Sequence, residues 1–174
     1  MFLIGIGQAP NQTVLLPSMR ALEPNDILIC ESEIKYGGYM AQSLESVCLG
    51  LPAHGYQRLF DASHECFHVL LEAARPGVPY AELIRIWTEH MEKIDLRAAP
   101  TMGHGVGLGQ DGPTTRPSGD AQGRVIEEGH CFVLKPWATS ADGSQAIRAG
   151  NTIVIEETGA RRLGQLDMSF RRLG

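Results

Sequence analysis

The sequence reads as an α+β domain. Strand-like apolar runs fill the first third, apolar residues then recur at three- and four-residue intervals between about Tyr56 and Ile94, and strand-like runs return after Val125. A shift of hydrophobic period from strand to helix and back is the signature of a sheet with helices laid on it. At 174 residues the chain suits one domain with a sizeable core, so residues 1–174 are read as a single unit.

In chain order, residues 1–6 form an apolar run that predicts a buried strand, and Asp26 to Cys30 predicts a second. The turn signals Pro10-Asn11 and Pro24-Asn25-Asp26 lie between them. Ser32 to Tyr39 continues the second run through Gly37-Gly38, where the chain can turn sharply or bulge. Leu59, Cys66, Phe67, Leu70, Leu71 and Ala74 line one face of a helix from about Tyr56 to Ala74, which Arg75-Pro76-Gly77-Val78-Pro79 stops. Leu83, Ile84, Trp87, Met91 and Ile94 give a second helix from about Tyr80 its inner face. Further strands are expected over Cys131 to Lys135, Thr152 to Glu156 and Arg161 to Leu163, with hairpin composition over Ala138 to Ser144.

Composition excludes several classes. The apolar fraction of 43% and charged fraction of 20% leave no disordered bias, and a net charge of -5 argues against a nucleic-acid partner, whose phosphates need clustered Lys and Arg. Arg161, Arg162, Arg171 and Arg172 form a basic cluster that reads as solvated. The opening Met-Phe-Leu-Ile-Gly-Ile-Gly is too short for a signal peptide or a membrane span, so no membrane partner is expected. Cys30, Cys48, Cys66 and Cys131 are widely spaced without a CxxC pair, which fits reduced thiols and a cytoplasmic location. His64, His68 and His90 fall on the expected helices as solvent-facing or core-edge residues.

Gly103-His104-Gly105-Val106-Gly107-Leu108 is the segment richest in chemistry, because glycines on both sides let the His104 ring reach into a pocket. Taken alone, it fits a plain glycine-rich turn equally well. With its surroundings it resembles the GHGIGL motif of the M24 family: methionine aminopeptidases, Xaa-Pro aminopeptidases, prolidases and creatinase, which share the pita-bread fold. Leu22 to Ile29 looks like the family's "lkpGDlvli", Tyr36-Gly37-Gly38-Tyr39 like "yNGY" and Arg75-Pro76-Gly77 like "rpG". Phe132 to Pro136 looks like "ftiEPg", and Asn151 to Ala160 like "dTvlVTedGa". The resemblance runs from about Leu22 to Leu163. It implies a partial pita-bread fold, a curved antiparallel sheet packed with a helix pair, in a domain lacking the helices of the first half.

It also implies an ancestral site for two divalent ions such as Mn, Co or Zn, held by two aspartates eleven residues apart, a histidine and two glutamates. Those positions fall on Glu31, Gln42, His104, Lys135 and Gly150, of which His104 alone is retained and Glu31 is a lengthened carboxylate. No metal and no other cofactor are expected here, since an amide is a poor ligand for hard cations, an ammonium repels them and glycine offers nothing. Lys135 is expected to pair with Glu31 across the former metal pocket. The family's second histidine, seven residues after the first, falls on Asp111, and no histidine precedes His54. His104, Asp111 and Glu31 are therefore the catalytic candidates, and none is assigned firmly.

Three functional readings follow from the resemblance. The leading one is a catalytically inactive relative that serves as a binding or interaction module for a peptide, protein or small molecule in the old cleft. The alternatives are a metal-independent, creatinase-like amidohydrolase and a dinuclear Xaa-Pro aminopeptidase or dipeptidase; if active, the chain would hydrolyse a peptide or amide-like C–N bond. Without first-half helices, the sheet face around Phe2, Leu3, Ile4, Leu28 and Cys30 is left for a homodimer partner, slightly favoured, or another polypeptide to cover, or else the chain is a shortened remnant.

Overall fold

The computed structural model describes residues 2–7, 19–110, 114–115 and 123–174. Strands β1 (Phe2–Gly7), β2 (Ile27–Tyr36) and β3 (Tyr39–Leu49) come first, followed by helices α1 (Tyr56–Ala73) and α2 (Tyr80–Glu92). The short strands β4 (Leu96–Arg97), β5 (Gly103–Gly105) and β6 (Thr114–Thr115) lead into β7 (Cys131–Leu134), β8 (Trp137–Ser140) and β9 (Ala146–Arg148). Strands β10 (Gly150–Glu156), β11 (Gly159–Arg162) and β12 (Phe170–Leu173) complete the order. The main sheet runs β1-β2-β3-β10-β7-β5-β6, with β11 beside β10 and β12 beside β3, and β4-β8-β9 form a second, smaller sheet.

Each long element has a local cause. Gly37 and Gly38 both adopt positive φ, +58° and +93°, so two residues suffice to reverse the chain and put Tyr36 opposite Tyr39. The sharp turn anticipated there is thus a tight hairpin, and Tyr39–Leu49, which the sequence did not mark as a strand, is its second arm. Helix α1 buries Leu59, Cys66, Phe67 and Leu70 on one stripe, and α2 buries Leu83, Trp87 and Met91. Both stripes meet Ile27, Ile29, Phe132, Leu134, Ile153 and Ile155 of the main sheet in one core. Full burial of residues of this size is worth about 1.5–3 kcal/mol each, so this contact dominates the stability of the fold.

Some details differ from the sequence reading. Among the described residues the first strand is an edge strand paired to β2, with Gly5 buried and Ile6 exposed; the side chains of Phe2, Leu3 and Ile4 lie outside the described residues. Arg171 and Arg172 are exposed, as expected, but they lie on a strand rather than a tail: β12 pairs parallel to β3, and Arg171 is 3.7 Å from Glu45. Cys48 and Cys66 are buried, whereas Cys30 and Cys131 are half-buried, and all four are free thiols. Among the described residues, no helix is long and apolar enough to cross a membrane.

Candidate functional site

The five ligand-equivalent positions come from separate elements that the sheet brings together. Strand β2 supplies Glu31, its hairpin partner β3 supplies Gln42, β5 supplies His104, Lys135 directly follows β7 and the start of β10 supplies Gly150. The backbone of Gln42 is pinned twice to Thr152: its N–H donates to the hydroxyl at 2.7 Å, and that hydroxyl donates to its carbonyl at 2.9 Å.

At the centre lies Glu31, a carboxylate only 5% exposed. Lys135 Nζ donates to its Oε1 at 2.9 Å, so the expected ion pair is present. Arg148 Nη2 donates to Oε2, and Gln42 Nε2 donates to Oε1. The Gln42 amide also accepts from Lys135 Nζ at 2.9 Å through its own oxygen. An amide is the residue type that can do both at once, giving a proton to the carboxylate and a lone pair to the ammonium. The aspartate of the family pattern at this place would instead set two carboxylates side by side.

Arg148 went unnoticed in the sequence. It ends β9, is 3% exposed, and its guanidinium lies 4.5 Å from the centre of the Trp137 ring. The backbone that carries this ring is tied to α2: the Trp137 carbonyl accepts from Trp87 Nε1 at 2.9 Å. Ser63 of α1 reinforces the arrangement, donating to Pro136 O at 2.5 Å and accepting from Ala149 N–H at 2.7 Å. The helices thereby set the strand ends that carry Lys135 and Arg148. The only available signal was a lone charge two residues before the Gly150 ligand position, and its partner lies 117 residues away.

The charges settle accordingly. Burial pushes the Glu31 carboxyl upward, but Arg148 and Lys135 beside it outweigh that and hold it below the usual range. Burial lowers Lys135, with Glu31 opposing and Arg148 adding to the shift. For His104, burial is the largest influence and Lys135 the next, and both lower its pKa, leaving the ring neutral at neutral pH. Its Nδ1 lies 3.1 Å from the Gly105 carbonyl, an arrangement that places the proton on Nδ1 and leaves the Nε2 lone pair free of hydrogen bonds among the described residues.

The glycines have a different role from the one their sequence suggests. A Cβ on Gly103 would stand 1.8 Å from Val133 O, so this glycine lets β5 press against β7. A Cβ on Gly150 would meet Leu134 O and Lys135 Cβ at 2.6 Å each, so Lys135 and its strand close the space a ligand side chain would need. These positions do not fit a pair of divalent ions: one carboxylate is saturated by two cations and an amide, one position is itself cationic, and one has no room for a side chain. Among the described residues, no group of three or more His, Cys, Asp or Glu is placed to hold a metal ion. Asp111 lies outside the described residues. A recess of about 630 Å³ is lined by Gly105, Val106, Arg124, Glu127, His130 and Cys131 among others. None of the five ligand positions lines it.

Comparisons with known proteins place this geometry. The sequence pattern of metallopeptidase family M24 matches residues 3–157. The Xaa-Pro dipeptidase of Lactobacillus helveticus is 23% identical over 158 residues, and methionine aminopeptidase 1B of Arabidopsis thaliana chloroplasts is 24% identical over 166. These matches take in 89% and 85% of this chain but 42% and 45% of those proteins, so the chain spans less than half their length. Prolidase from Thermococcus sibiricus superposes with a TM-score of 0.87 at 18% identity, over 99% of this chain and 47% of that one. Methionine aminopeptidase from Thermotoga maritima does so with 0.74 at 18% identity, over 93% and 72%. The architecture is therefore α+β and pita-bread-like, a curved antiparallel sheet backed by a helix pair, and the chain belongs to metallopeptidase family M24.

Proposed function

We propose that this chain is a non-catalytic member of its family, one that binds a peptide or small-molecule ligand near His104 rather than hydrolysing a peptide bond with two metal ions. The observation that carries the reading is Lys135 Nζ, 2.9 Å from both Glu31 and Gln42, in the place where the family's ligands would need a cation. A cytoplasmic setting with reduced thiols belongs to the same reading. So does a second copy of the chain over the sheet face around Leu28 and Cys30, both half-buried; the side chains of Phe2, Leu3 and Ile4 on the same expected face lie outside the described residues. Sedimentation equilibrium should then report a dimer, and a monomer at every concentration would remove that part.

The principal test uses chelator-treated protein. Calorimetric titration with Mn²⁺, Co²⁺ and Zn²⁺ should give no binding that Glu31→Gln or His104→Gln abolishes, and Xaa-Pro dipeptides should not be cleaved with any of the three. Two tightly bound ions per chain that depend on Glu31 and His104 would restore a dinuclear peptidase. One feature favours a metal-independent amidohydrolase as a second reading: the neutral His104 ring, whose free Nε2 suits a general base. Hydrolysis of amide substrates in excess chelator, lost in His104→Ala, would establish it.

A further inference from the structure

Outside the ancestral site, helix α1 carries a second histidine arrangement. His64 and His68 are four residues apart, hence on the same helical face, and their Nε2 atoms lie 3.3 Å from each other. Two imidazoles bound to one tetrahedral ion at 2.0–2.1 Å have nitrogens separated by about 3.3–3.4 Å, so the observed spacing is that of two ligand vertices. The rings are also held in place. His64 stacks on Phe60 with centroids 6.0 Å apart and an interplanar angle of 10°, and Phe60 stacks in turn on Phe170 at 5.4 Å. The edge of His68 meets Phe67 at 5.4 Å, and the histidines meet each other at 80° with centroids 4.8 Å apart. Phe60 and Phe67 belong to the core, so the pair is fixed in position before any ion arrives.

We propose that His64 and His68 form a surface site for a late first-row divalent transition ion, Zn²⁺, Ni²⁺ or Cu²⁺. Imidazole prefers these ions to Ca²⁺ or Mg²⁺, and two to four waters complete the coordination shell. In the free protein the facing Nε2 atoms share one proton. Binding returns that proton to the Nδ1 of its own ring and gives both Nε2 lone pairs to the metal. Of the charged groups around His64, Asp61 and Asp167 favour a cation, while Arg162 opposes one. His68 is exposed and His64 half-buried, so solvent reaches the shared edge. The ion would staple two turns of α1, the helix that also anchors Pro136 and Ala149 through Ser63.

The test is titration of chelator-stripped full chain with Zn²⁺ and Ni²⁺ by calorimetry. One ion per chain is expected, weakened at least about tenfold by either His64→Gln or His68→Gln, because removal of a ligand costs no less than removal of its supporting hydrogen bond. His104→Gln should leave this binding unchanged, which separates it from any ion at the ancestral site. Circular dichroism checks that the variants fold, and in the unaltered protein Ni²⁺ should broaden the ring resonances of His64 and His68 ahead of the other histidines. No uptake, uptake indifferent to both glutamine variants, or broadening centred elsewhere would overturn the proposal.

Discussion

Glu31 is the residue on which the cluster depends, since its single carboxylate pairs with both buried cations, Lys135 and Arg148. Replacing Glu31 by Leu should destabilise the fold by about 3–5 kcal/mol, the cost of stranding a buried charge. Lys135→Met should cost less, because Arg148 and Gln42 still serve the carboxylate. Urea unfolding of both single variants and the double variant measures this, and the double variant should lose less than the sum of the two. The same carboxylate sets an acid limit. With its folded pKa held below the ordinary glutamate value, Glu31 contributes stability that is complete above about pH 4.5 and lost as pH falls through the lower, folded value. His104 acts in a neighbouring window: its lowered pKa means that the unfolded chain binds the extra proton more readily, so stability falls as pH drops below about 6.5. Denaturation curves from pH 7 to pH 3 should show both losses, with Glu31→Gln reducing the lower, to which Asp26 beside Arg20 also contributes, and His104→Gln reducing the upper, to which the half-buried His64 also contributes.

Among the elements, the junction of β7 and β10 is closed by contact. Gly150→Ala should destabilise by about 1–3 kcal/mol through overpacking against Leu134 O and Lys135, and Gly150→Glu should do worse rather than restore a ligand. Thermal unfolding compares the two. Helices α1 and α2 were legible to within two residues at each end, because a 3.6-residue apolar repeat ended by Pro76-Gly77 has few other readings. Strand β3 was not legible, since its buried side alternates Gln42, Leu44, Ser46 and Cys48 and so mixes polar with apolar where a core strand should be uniform. Strand β12 hid behind Arg171 and Arg172, whose charges suggest solvent while their backbone pairs with Val47 and Cys48. Of the site, the Glu31–Lys135 pair was readable because the family pattern supplied a register. Arg148 was not, because nothing local to Ala146–Arg148 points to a partner on β2.

For the molecule as a whole, the ancestral site and the histidine pair lie on different elements, with β5, β7 and β10 around the first and α1 under the second. Elemental analysis of the purified chain therefore has to be read by position: metal that leaves with His64→Gln belongs to the helix surface, and metal that leaves with His104→Gln belongs to the sheet. The amine of Lys135 has a consequence of its own. A dissociable ion stabilises a fold only in proportion to the logarithm of its free concentration over its dissociation constant, so such a fold weakens whenever the supply runs short. A cation tethered through the backbone has no dissociation constant. The positive charge that Lys135 places beside Glu31 is thus present whatever the concentration of free metal.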